Sequence, residues 1–155
     1  AILKTLRTVY KYIIVDTAPN FSETMLATLD EADRILVVSS LDLPTVKNIK
    51  LCLEIMESLA YDDDKIKMVL NRANGEGGID VREVEESLHR TFTAVLPSEG
   101  KVVVTSVNRG IPFVVTNPES VVAQNVFSLA KFVAGASLPQ EESRGVVSKL
   151  KRLLG

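Results

Sequence analysis

Four short segments carry residues able to do chemistry: Asp16-Thr17, Ser39-Ser40, Asn71-Arg72 and Pro97-Ser98-Glu99. Each closes an apolar, β-branched run of the kind that forms a buried strand, at residues 12–15, 34–40, 66–70 and 92–96. In an open parallel α/β sheet, groups that end strands face one crevice. An acid such as Asp16 can there hold a metal's water shell, a phosphate or an attacking water. Taken singly, each segment has a plainer reading. Asp16 can cap the following helix, Ser39 and Ser40 can satisfy loop backbone, and Arg72 can be a solvated surface charge. Four such ends in sequence order make a ligand crevice the stronger reading.

The elements that must position these groups alternate along the chain. An amphipathic opening at residues 1–6 feeds the first strand. Ser22 precedes a helical pattern holding Met25, Leu26 and Leu29, with Glu23 in the first turn, where the helix dipole favours an acid. Pro44 opens a long helix with Val46, Ile49, Leu53, Met56 and Leu59 on one side. Asp62-Asp63-Asp64 and residues 74–78 read as loops. Helices are expected near 81–89, from the fourth strand to Arg109, and from Pro118 and Ser120 through Val133. Strands alternating with helices predict an α/β fold: a parallel sheet with helices on both faces, in three layers, occupying residues 1–135. A linker at 136–145 and a tail helix at 146–155 complete the organisation.

The chain has 155 residues, 46% hydrophobic and 25% charged, which is enough for one core, and its formal net charge is -2. No long block of either sign steers it to a polyanion, and Arg34, Lys47 and Lys50 form no basic stripe, so nucleic acid is not an expected partner. Cys52, the single cysteine, falls in an apolar helical run and reads as a small core residue. His89 ends a helix with only Glu85 at ligand-like spacing, so it reads as a helix-end group. No run approaches the roughly 20 apolar residues of a membrane span. A cytoplasmic protein, peripheral at most on the inner face of the cell membrane, is the expectation.

The run YIIVDTAPNFSETMLATLDEADRILVVSSLDLPTVKNIK, followed by MVLNRA and VLPSEGKVVVTSVNRGIP, resembles the MinD/ParA group of P-loop ATPases, in particular its CpaE/TadZ-like pilus-assembly branch. The resemblance covers residues 12–134. It implies a P-loop NTPase architecture and a parent that binds ATP and Mg²⁺. Asp16 would be the Walker B acid, reaching the metal indirectly through its water shell, with Thr17 and Pro19 in switch II. Asn71 would bond adenine, Arg72 would flank it, and Pro97 with Ser98 would close the other side. A homodimer and components of pilus or secretion machinery are the implied partners.

The chain departs from that family at one essential place. A phosphate cradle needs G-x-x-x-x-G-K-[ST] or a lysine-rich variant, since backbone N–H groups and a lysine must wrap the phosphates, and no such sequence occurs here. By the resemblance, the first strand, the P-loop helix and switch I would precede residue 1, which makes this a C-terminal portion. Two other readings remain. A receiver domain also ends strands with an aspartate and a hydroxyl residue, but its third strand ends in lysine, where Asn71-Arg72 stand. A scaffold with the ATPase fold and no hydrolysis needs no cradle at all.

In the tail, Val146, Val147, Leu150, Leu153 and Leu154 share one helical face, ringed by Arg144, Lys149, Lys151 and Arg152. That basic amphipathic pattern resembles the membrane-targeting helix of the family's MinD members and implies an anionic membrane surface as partner. The other reading is that this face docks on the domain's own core. Because positioning and charge stabilisation of the phosphates supply most of this catalysis, the 155-residue chain is expected to hydrolyse ATP no faster than background. Steady-state phosphate release that Asp16→Ala abolishes would overturn this expectation.

Overall fold

β-Branched runs of four or five residues separated by amphipathic stretches can bury their backbone polar groups only by pairing with one another, and three of the four runs do so. The computed structural model describes residues 2–73 and 79–135, in two units, Ala1–Ile35 and Leu36–Gly155. The glycine loop at 74–78, the linker at 136–145 and the tail helix at 146–155 lie outside the described residues.

In the first unit α1 (Ile2–Arg7) is followed by irregular chain and then α2 (Glu23–Glu31). Ser22 caps α2, its side chain accepting from the Met25 backbone N–H at 3.3 Å. Arg7 joins the end of α2, donating to the Glu31 carbonyl and pairing with Asp33 at 3.2 Å, and Lys4 pairs with Glu31 at 3.6 Å. These pairs are solvent-facing and each adds little to stability.

The sheet comprises β1 (Ile35–Ser39), β2 (Ile66–Leu70) and β3 (Phe92–Val95), in the order β1-β2-β3, with β2 and β3 parallel. The parallel α/β class expected from the alternation therefore holds. The central strand is the most buried, with Met68 and Val69 at 2% exposure and Leu70 at 0%. A two-against-one irregularity at Met68/Val69 sets Val69 opposite Ala94 and Leu70 opposite Val95. Between the strands run α3 (Leu43–Ser58) and α4 (Val81–Leu88), with a 3-10 turn at Asp63–Lys65; after them come α5 (Gly100–Arg109), α6 (Phe113–Thr116) and α7 (Val121–Val133). α3 buries Val46, Ile49, Leu53 and Met56, the apolar positions its sequence period marks out. α7 packs on β3, and α6 bridges α5 and α7.

Three expectations need correction. Residues 12–15 form no strand: Tyr12 and Val15 are exposed, Ile14 is 84% exposed, and no ladder partner is assigned to them among the described residues. β propensity describes fit to a pleated surface, and without a neighbouring strand it produces none. The single turn α6 was not anticipated. It forms because the Pro112 carbonyl accepts from Val115 and Thr116, against the extended preference of the β-branched pair that follows. Cys52 is a free thiol, half-buried, its pKa raised by burial, and so sits at the margin of the core. His89 ends α4 as expected of a helix terminus, though by backbone geometry: it adopts φ 51° and its N–H returns to the helix carbonyls.

Leu70→Ala, at the fully enclosed centre of the sheet, should lower unfolding free energy by about 2–5 kcal/mol in urea titrations. A loss below about 1 kcal/mol would place the core elsewhere.

Candidate functional site

The C-terminal ends of the three strands lie together through backbone bonds. The Asn71 N–H donates to the Ser39 carbonyl at 2.7 Å, Leu96 N–H to the Leu70 carbonyl at 2.7 Å, and Ala73 N–H to the Leu96 carbonyl at 3.0 Å. Ser39, Asn71-Arg72 and Pro97-Ser98 therefore share one edge of the second unit. Asp16, Thr17 and Pro19 belong to the first unit, in its irregular stretch, where all three are exposed. There, the Asn20 side chain accepts from Ser22 N–H at 3.2 Å, which turns the chain into α2.

At the sheet edge each group is held differently. Ser39 is 2% exposed and donates its hydroxyl to the Ser40 carbonyl at 3.2 Å, a local backbone role. Arg72 sits in the left-handed region at φ 56°, a conformation that strains a residue bearing a Cβ by about 1–2 kcal/mol. Its N–H donates to Asn71 Oδ1 at 3.0 Å. That bond orients the Asn71 amide and leaves Nδ2 as a donor with no partner among the described residues. Strained backbone beside an exposed, oriented amide is common where a ligand is held. Asn71 and Arg72 are both exposed, and Pro97 is half-buried next to them.

This edge offers a directed amide at Asn71, an exposed Arg72 and a half-buried Pro97. It contains no cradle for phosphates. Among the described residues no group of three or more His, Cys, Asp or Glu side chains is placed to hold a metal ion.

Asp42 was absent from the candidates and organises the loop after β1. It caps α3, accepting from Thr45 N–H at 2.9 Å and from the Ser40 hydroxyl at 2.5 Å. The Ser40 hydroxyl, then Thr45, hold its carboxyl below the ordinary value of 3.8. The signal was legible as Asp42 ahead of Pro44, which occupies the first turn of α3.

A groove of about 730 Å³ lies at the opposite end of the strands, lined by Ile66, Lys67, Thr91 and Thr93 with Arg82 and Glu86 of α4. Arg90 pairs with Asp63 at 2.5 Å, and Glu85 accepts from Phe92 N–H at 2.7 Å. The strand ends remain the candidate site, and this groove lies apart from them.

With this geometry the chain compares as follows. No family model matches it. It is 28% identical over 162 aligned residues to the septum site-determining protein MinD of Thermotoga maritima, across 97% of this chain and 59% of the relative. The ParA family ATPase of Chlorobium tepidum superposes with a TM-score of 0.78 at 20% identity, over 83% of this chain and 54% of that one. The MinD cell division protein of Aquifex aeolicus superposes with a TM-score of 0.71 at 21% identity, over 89% and 59%. The chain is thus related in sequence to MinD and has the α/β fold shared by ParA and MinD ATPases. It spans 59% of the length of that curated relative.

Because the folded carboxyl of Asp42 titrates below its unfolded counterpart, its stabilisation is present above pH 3.8 and lost as pH falls through the lowered folded value. The stability gap between wild type and Asp42→Ala should therefore be widest near neutrality and close on acidification. A gap in urea midpoint that widens below pH 3.8 would contradict the assignment.

Proposed function

We propose that this chain is a portion of a MinD/CpaE-like ATPase, a nucleotide-dependent localisation or pilus-assembly factor, that carries the Walker B, switch II and adenine-side segments. The observation that carries this reading is the juxtaposition of Asn71-Arg72 and Pro97-Ser98 at adjoining strand ends, in a fold shared with ParA and MinD proteins. Asn71 donates Nδ2 to a ring nitrogen of adenine, Arg72 lies against one side of the base, and Pro97 with Ser98 bound the other. Asp16 would be the acid that holds the water shell of Mg²⁺ in the whole protein, and Thr17 and Pro19 would belong to its switch II. ATP with Mg²⁺ supplies the reactive phosphate in the whole protein; the residues here bind and orient the base end.

The partners follow from the same reading. The chain works as a homodimer, at the cytoplasmic face of an anionic membrane, with pilus or secretion components as the cargo side. Among the described residues no helix is long and apolar enough to cross a membrane. Attachment would fall to Val146, Val147, Lys149, Leu150, Lys151, Arg152, Leu153 and Leu154, residues outside those described. Each basic residue near an anionic surface contributes about 1 kcal/mol, so one short tail holds weakly and two tails in a dimer hold far better.

Titration with ATP, ADP and Mg²⁺, followed by amide chemical shifts, separates the readings. Shifts at Asn71 and Ser98 support the ATPase assignment, labelling of Asp16 by acetyl phosphate supports a receiver, and silence in both supports a scaffold. Separately, binding to anionic liposomes should be salt-sensitive and abolished by Leu150→Glu or by removing residues 146–155. Co-sedimentation unaffected by that truncation would exclude the tail as the anchor.

A further inference from the structure

Glu99 stands at the N-cap position of α5, yet it gives that helix no side-chain cap. Its carboxylate is used elsewhere: Oε2 accepts from the Val122 backbone N–H at 2.6 Å, in the first turn of α7. One turn further along the same helix, Asn125 Nδ2 donates to the Val95 carbonyl at 3.0 Å. Val95 and Glu99 bracket Leu96, Pro97 and Ser98. Between the two brackets the sheet holds the segment, through Leu96 N–H to the Leu70 carbonyl and Ala73 N–H to the Leu96 carbonyl.

The local chemistry makes these strong attachments. The first N–H groups of a helix have no partner within it. Ser120 takes one, accepting from Ala123 N–H at 3.3 Å, and Glu99 takes that of Val122. Val122 is 4% exposed, so removing its acceptor leaves a buried donor unsatisfied. The bond to Glu99 is charge-assisted and lies at the positive end of the α7 dipole. Asn125 meets Val95 in β3, the terminal strand of the order β1-β2-β3.

We propose that Glu99 and Asn125 are positioning residues that fasten the Val95–Glu99 segment to α7 from both ends, so that Pro97 and Ser98 move only with that helix. This rests on the nucleotide reading above for its purpose and on the two hydrogen bonds for its mechanism. The base-flanking segment and α7 then form one mechanical element, and any displacement of α7 is felt at the strand ends. Had Glu99 been only a cap for α7, its loss would fray the helix start and leave the segment as it was.

Amide hydrogen exchange on the full chain tests this directly. Glu99→Ala and Asn125→Ala touch opposite ends of the segment, and each should accelerate exchange at the Leu96 and Ala73 amides, whose bonds hold the segment to the sheet, by roughly tenfold for the charged contact. Glu99→Gln keeps an acceptor for Val122 N–H and should restore protection. The double variant should lose less than the sum of the two single losses, since either release frees the same segment. In parallel, ATP affinity read from shift titration should fall several-fold in Glu99→Ala and recover in Glu99→Gln. Wild-type protein that gives no shifts with ATP would remove the nucleotide reading, while the exchange result would still decide the clamp. Exchange at Leu96 and Ala73 unchanged in both alanine variants, with only α7 amides accelerated, would overturn the proposal.

Discussion

The pairing of β2 with strands on both sides is the constraint on which the second unit depends. A central strand can enclose Met68, Val69 and Leu70 only if its N–H and C=O groups are bonded to neighbours, because a buried unpaired backbone group is expensive. Those bonds also set the site. The last ladder contacts, Asn71 to Ser39 and Leu96 to Leu70, bring three chain segments distant in sequence to one edge. The candidate site is thus a by-product of finishing the sheet: where the ladder ends, polar side chains and free backbone begin.

Around that edge the helices are tied down by side chains that cap them, and the caps differ in reach. Asp42 and Ser120 are local, each satisfying a donor three residues ahead. Glu99 is long-range, reaching across from the end of one βα segment to the start of α7. Local caps fix where a helix starts; a long-range cap fixes where it lies. Gly110 supplies the complementary stop for α5, with φ 65° and its N–H returning to the helix, while the Ser106 hydroxyl donates to the Ile111 carbonyl at 2.7 Å and turns the chain toward α6.

The sequence relation to MinD and the fold shared with ParA and MinD structures are consistent with this architecture and add a second line to it. The fold could be argued from alternation alone, but the roles proposed for Asn71, Arg72, Pro97 and Ser98 could not, since asparagine and proline at strand ends are ordinary loop residues. What the geometry contributes is adjacency, together with an Asn71 amide oriented by its own following N–H.

The sequence by itself determined the strands and the longer helices of the second unit, though not the single turn α6. The β-branched runs, the caps at Asp42 and Ser120 and the period of α3 are local signals, and local physics acts on them directly. It also marked Asn71-Arg72 and Pro97-Ser98 as strand ends, because a strand's end is written where its apolar run stops. Tertiary structure decided the rest. Residues 12–15 read as well as any strand, yet strand formation is a property of pairs, and no sequence window contains its partner. Asn125 and Val95 are 30 residues apart, and Glu99 and Val122 are 23 apart. Neither pairing leaves a trace in local pattern, since a hydrogen bond between distant segments exists only after the sheet and α7 have brought them within reach.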